Sequence, residues 1–534
     1  MPFKLFIPLL VLFASPGCAP PPTAEGEGEG EGEGEGEGEG EGKGEGEVPC
    51  LTVDGSVTIE NAEGLVALAG VCVVTGDVVI VSTDLTTISL PVLAIIGGHV
   101  EIRGNTALAN LSLPVLASVD GDVLIDHNGS LTTIALPELV SVGRDLVIEA
   151  DATLRSLSLP LLSSVAGFVG IVANDDLTGL VLPNLVTVGA GIDISYNRGL
   201  TAVSLPVLES VQGALRINDN RALAVVVLPR LSRVRGALLI FTDVLTRLAL
   251  PALLHVEGEL VILDSTAMTE VLLPVLSGVD GDLRIGGTAV TSLSLPELVS
   301  VTGHVFIEAH PFLTSISLPV LEAIGTGVGI NLNSALTSLS LPVLERVQGP
   351  IAIISNNALP SLIAPALTSA GGVNISRNGA LTSLSLPVLA SAGPVSINSN
   401  IVLTNLDLPE LDDVLGDLVF ENDQLLTSVS LPALVSVGGS LNVGANNAQT
   451  SLSLPALVTI GGTLSVNDND AQTSLSLPAL LSVGDRVGIF NNAALTSISL
   501  PQLASVRDGV RIGGNAILTS CSGPLIVNVG DCIQ

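Results

Sequence analysis

The chain has 534 residues, a formal net charge of −34, five cysteines and no tryptophan. Apolar residues make up 47% of it and aromatics only 2%, so any core is built from Leu, Val and Ile rather than from rings. The only lysines are Lys4 and Lys43. An acidic surface without a basic stripe repels phosphate backbones, which excludes nucleic acid as a partner.

Residues 1–18 read as an export signal, with Lys4 ahead of an apolar run from Leu5 to Ala14 and small residues before Cys18. Ser15-Pro16-Gly17-Cys18 resembles a bacterial lipoprotein processing site. That resemblance implies cleavage before Cys18, lipidation of the cysteine, and attachment to a membrane of the bacterial cell envelope. The other reading is an ordinary secretory signal cut nearby, with Cys18 incidental and the product extracellular. No later segment is a continuous apolar run of ~20 residues.

Residues 19–48 form a tether: Pro20-Pro21-Pro22, then Glu-Gly alternation from Glu25 to Glu47 broken by Lys43. Eleven glutamates cannot bury anything and eleven glycines resist ordering, which predicts a disordered, extended spacer. Whether it was selected for reach or left by slippage of a simple nucleotide repeat, the expected state is the same.

From residue 49 to 534 one motif recurs: Leu-Thr-Ser-Leu-Ser-Leu-Pro-x-Leu, then x-x-Val-x-Gly-x-Leu-x-Ile-x-x-Asn. Its Leu-Pro step falls every 23 residues from Pro91 to Pro229 and continues to Pro524, slipping to 22 four times. Such regularity predicts an all-β repeat solenoid, a β-helix of about 21 turns with a 22–23-residue period. Gly, Ser, Thr and Val with a proline in every turn argue against helix. In the turn at 131, Leu131, Ile134 and Leu136 point inward, and Pro137 ends the strand because it cannot donate a ladder hydrogen bond. Leu139 and Val142 bury a corner, Gly143 marks a bend, and Leu146 and Ile148 form a second inward-facing strand. Three places beyond that strand's last inward residue, Asn128, Asn197, Asn220, Asn378, Asn400, Asn446 and Asn492 recur, positioned to satisfy bend amides by stacking. Turns ~4.8 Å apart give a rod on the order of 100 Å long.

The run Leu-x-x-Val-x-Gly-x-Leu-x-Ile-x-x-Asn-x-x-Leu resembles the repeats of receptor L-domains, relatives of leucine-rich repeats, over roughly residues 50–534. The resemblance implies a ligand-binding or cell-surface architectural role and no catalytic motif. This chain is longer and more regular than a receptor L-domain and lacks the accompanying cysteine-rich modules, so growth-factor receptor activity is not implied.

With Cys18 set aside, Cys50 and Cys72 flank the first, degenerate turn, and Cys521 and Cys532 bracket the last. The two ends lie too far apart to cross-link, so only the local pairs can form disulfides. Each would staple a terminal turn, and both require an oxidising compartment.

For chemistry the sequence offers little. His99, His127, His255, His304 and His310 are scattered, and no nucleophile elbow, zinc-protease helix or phosphate loop occurs. No enzyme, cofactor or metal site is expected. Asp126-His127-Asn128, Asn218-Asp219-Asn220 and Asn467-Asp468-Asn469-Asp470 could offer oxygen ligands to calcium, but the acids do not recur at a fixed position, and a structural asparagine ladder is the better reading.

Two faces remain for binding. One is a hydroxyl column before the Leu-Pro step (Ser89, Ser112, Ser158, Ser204 and onward to Ser499), interrupted by Val181, Val227, Leu272, Ile363 and Asp407. The other is the outward middle position of the Gly-x-Leu-x-Ile strand, where Leu239, Val261, Arg284 and Phe306 make a mainly apolar stretch. It is either a contact surface or the bed of a loop packed over it. The expected function is therefore an exported, lipid-anchored, non-catalytic cell-surface solenoid that binds a protein or a glycan. The alternative is a passive structural component of the envelope.

Overall fold

The structure is a computed structural model that describes residues 50–526 and 529–532. The leader, Cys18 and the Glu-Gly tract lie outside the described residues. The described residues contain 60 strands, the longest nine residues, and one helix, Ala62–Ala67.

Because each turn repeats the same polar and apolar order, each strand lies parallel to its copy one period on. Leu146 pairs with Val169, Val147 with Gly170 and Ile148 with Ile171, so each repeat position stacks on itself. The x-x-Val and Gly-x-Leu-x-Ile strands assemble into one sheet of 40 strands. The Leu-x-Leu strand before each proline builds an opposing wall, divided into six sheets of two to five strands. Between the walls runs one continuous core. In the turn at 131, Leu131, Ile134, Leu136, Leu139, Val142, Leu146 and Ile148 are all buried, as the alternation predicts. Gly143 is required where it stands, since a Cβ there would collide with the Asp120 carbonyl of the turn before.

The expectation of no helix needs one correction. The degenerate first turn lacks a Leu-Pro step, and Ala62–Ala67 winds into a short helix there. Asn61 caps it by accepting from the N–H groups of Glu63 and Gly64 at 3.0 and 3.1 Å, which offsets the loss of a strand partner. At the ends the cysteines are paired as Cys50–Cys72 and Cys521–Cys532, with Cα atoms 5.3 and 5.6 Å apart.

Candidate functional site

The asparagine position sets the frame for everything on the surface. It forms a buried ladder from Thr83 to Asn515, and Asn378 shows the working unit. Its Oδ1 accepts from the Asn356 N–H of the preceding turn at 3.0 Å, and its Nδ2 donates to the Ile353 carbonyl at 2.9 Å. Its own N–H donates to Asn400 Oδ1 at 3.1 Å, which passes the pattern to the next turn. Each amide thereby satisfies a bend donor that would otherwise be orphaned in the core and adds a second bond to a strand carbonyl. The residue before it adopts positive φ in most turns, as at His127 (55°), Arg377 (55°) and Ser399 (57°). That left-handed conformation costs roughly 1–2 kcal/mol each for residues with a Cβ, and the hydrogen bonds of the inward-turned asparagine offset it. At the C-terminal end Asp531 closes the ladder, its Oδ2 accepting from the Asn515 N–H at 2.8 Å.

The ladder changes character between residues 242 and 310, where Thr242, Ser265, Thr288 and His310 hold the position. Thr242 reaches Ser265 only at 3.3–3.4 Å, and Ser265 donates to its own strand at Leu263 instead. Neither hydroxyl is long enough to reach the preceding isoleucine carbonyl as an asparagine does. His310, expected as a scattered surface histidine, is in fact fully buried. Its Nε2 bonds to the Ile285 carbonyl at 3.0 Å and its Nδ1 to the Thr288 hydroxyl at 2.9 Å, the arrangement of a neutral imidazole donating from Nε2. Burial pushes its pKa below the usual imidazole value, against the opposing pull of those hydrogen bonds. It is therefore an asparagine substitute with no free ring nitrogen.

The same turns carry the outward stretch. Leu239, Val261, Arg284 and Phe306 are consecutive partners in register, so the structure brings all four into one column. Arg216 adjoins Leu239 on the other side. Each of these strands also has a second outward column two residues on, and there Phe241 pairs with Leu263. Leu239, Phe241, Val261 and Leu263 thus form a two-by-two apolar block. Val261 is only 4% exposed yet stands outside the main core. Leu263 leans over Gly286 and Phe306 over Gly329, where a Cβ would come within 2.9 and 2.7 Å of them. The missing side chains give those two apolar groups room to lie flat.

Phe306 is also clasped. The Arg284 guanidinium sits 4.6 Å above its ring centroid, and the His304 ring stacks on it at 5.0 Å and 16°. Asp282 steadies both, 3.3 Å from His304 Nδ1 and 4.0 Å from Arg284 Nε. Phe241, Leu263, Asp282 and His304 lie outside the single outward column expected from the sequence. Period-2 alternation puts all four on the outward face, two places before or after a residue of the first column.

The acidic edges make local partners. Asp126 takes Arg103 and His127 at 3.2 and 3.1 Å, and among the described residues no group of three or more His, Cys, Asp or Glu is arranged to hold a metal ion. Among them, too, no helix is long and apolar enough to cross a membrane. The hydroxyl column is in register, Ser315 on Ser338 and Ser317 on Ser340, as the repeat predicts. It is replaced by Val227, Ala249 and Leu272 behind the apolar block, where a shallow groove of about 410 Å³ opens between Pro251, Pro274 and Pro296.

No family model and no curated protein matches the sequence. Among solved structures the chain is similar to a leucine-rich repeat protein from Bacteroides ovatus, at 11% identity over 76% of this chain and 83% of that one, with a TM-score of 0.16. It is also similar to a leucine-rich cell surface protein from Faecalibacterium prausnitzii, at 12% identity over 66% and 87%, with a TM-score of 0.20. Superposition this loose adds nothing to the fold read from the chain's own strands, which is a parallel β-solenoid.

Proposed function

We propose that the chain is an exported, non-catalytic surface solenoid that engages a protein or glycan partner through turns 238–310, anchored by a lipid on Cys18 and held off the membrane by its Glu-Gly tether. The observation that carries this reading is the apolar block continued by the clasped Phe306, side by side in register on the outward face of the 40-stranded sheet of an acidic solenoid. An aromatic side chain flanked by an arginine is the composition of a contact hot spot. Paired terminal cysteines and the leader agree with an oxidising location.

The test uses the full chain displayed on its own cells. Saturable binding of envelope or secreted proteins and of a glycan panel should fall about tenfold or more, a loss of ~1.4 kcal/mol, in Phe306→Asp and Leu239→Asp, while Ser482→Asp, likewise half-buried but in a distant turn, leaves it intact. Indifference to the first two changes, with sensitivity to deleting whole turns, supports the passive structural role instead. For the anchor, lipid labelling of the wild type and of Cys18→Ala decides. An unlabelled wild type, or a mutant that stays equally membrane-bound, removes the lipid.

A further inference from the structure

Two ladder positions hold an acid where the repeat calls for an amide. Asp151 and Asp423 are each 0% exposed. Their Oδ1 atoms do the work of the asparagine carbonyl, accepting from the N–H groups of Asn128 and Asn400 at 2.7 Å. Their own N–H groups donate onward to Asn174 and Asn446. Their Oδ2 atoms have no hydrogen-bond partner at all.

The neighbouring turns show what should be there. Asn174 Nδ2 donates to Ile148 O and Asn446 Nδ2 to Phe420 O, each 26 residues back. The same offset from Asp151 and Asp423 leads to the carbonyls of Ile125 and Ile397. An ionised Oδ2 and a carbonyl oxygen are both acceptors, so a carboxylate leaves Oδ2 unpaired and facing a carbonyl lone pair in a dry core, whereas a carboxylic acid supplies the one hydrogen the site lacks. We propose that Asp151 and Asp423 stand in the ladder as neutral acids, each donating Oδ2–H to the isoleucine carbonyl of the turn before, so that the solenoid is tightest in mildly acidic surroundings and loosens at these two turns as they ionise.

The charges around them fit. Among residues 398–401, 421–424 and 444–447, which flank Asp423 in its own and the adjacent turns, Glu421 is the only charged group. Around Asp151 the preceding turn brings the Asp126 carboxylate, which opposes ionisation, and the His127 imidazole, which favours it. Glu149 lies on its own strand, and Asp175 and Asp176 on the following turn are paired with Arg198 and Arg155. Burial is the largest influence at both sites and raises each carboxyl from 3.8 to about 7, against the backbone and side-chain bonds from Asn128 and Asn400. The folded value lies above the unfolded one, so the stabilisation is whole below about pH 4 and is lost as the pH climbs to about 7.

The experiment compares the full chain with the double variant Asp151→Asn, Asp423→Asn, whose amides complete the ladder at every pH. The gap in melting temperature between variant and wild type should be near zero at about pH 4, widen to roughly a few degrees by about pH 7, and then stay flat. Infrared difference spectra should show the carbonyl stretch of a protonated, dry carboxylic acid in the wild type, lost near neutral pH, halved in either single variant and absent from the double. A melting gap that does not change with pH, or a wild type without the protonated band at about pH 5, overturns the proposal.

Discussion

Turns 446–515 and turns 242–310 are built on the same plan and differ in how closely they keep to it. In the first, Asn446, Asn469, Asn492 and Asn515 link in series, each N–H meeting the next Oδ1 at 3.0–3.1 Å and each Nδ2 finding a strand carbonyl at 2.9–3.0 Å. Outside them stand Asn442, Ser465, Gly488 and Arg511, a column of small or polar residues in which Phe490, two places on, lies over Gly488. In the second, short hydroxyls and an imidazole replace the amides, and the outward residues turn apolar and aromatic. Departures inside the wall and on its surface occur in the same turns. This stretch is where the ladder departs furthest from its asparagine pattern.

The contrast can be broken most sharply at a ladder amide. Asn469→Leu strands the Asn446 N–H and removes the amide bond to the Val443 carbonyl, which should cost about 2–4 kcal/mol in all and open the C-terminal turns to limited proteolysis; Thr242→Val, removing only long bonds, should cost under about 1 kcal/mol. Equal losses at the two sites would dissolve the distinction. Replacing Cys521 and Cys532 by serine should come next, at about 2–4 kcal/mol, confined to the last turn and read as early fraying in a melt followed by proteolysis. Smallest, and opposite in sign, is Ser265→Asn. Asp264 before it already has a φ of 55°, so the new amide can accept from the Thr242 N–H and donate to the Ile240 carbonyl. Thermal unfolding should show a gain of about 1 kcal/mol, and a loss would mean that the stretch cannot take the regular ladder.

The fold was legible because its determinants repeat. Leu-Pro spacing gave the turn, alternation gave the inward residues, and the stacking of Asn128, Asn197 and their copies foretold the ladder. What the sequence hid were substitutions that preserve a role while changing the residue. His310 looks like a stray imidazole, and Asp151 and Asp423 look like surface acids, because only register shows that each occupies an asparagine's place. The left-handed residue of each turn is equally silent, being Ala445 in one repeat and Leu332 in another. On the surface, Leu239 and Phe306 were visible as exceptions in a column. Asp282 and His304 acquire meaning only through their contacts with Phe306 and Arg284. The helix at Ala62–Ala67 escaped because composition describes the average turn and this is the least average one.

Peptide-resolved hydrogen exchange along the full chain tests the account most directly. Amides of residues 238–290 should exchange about tenfold or more faster than those of residues 441–515, with the Thr242 N–H among the first and the Asn446, Asn469 and Asn492 N–H groups among the last. Uniform protection along the solenoid, or faster exchange in the asparagine-linked turns, would contradict the claim that order and surface character change together.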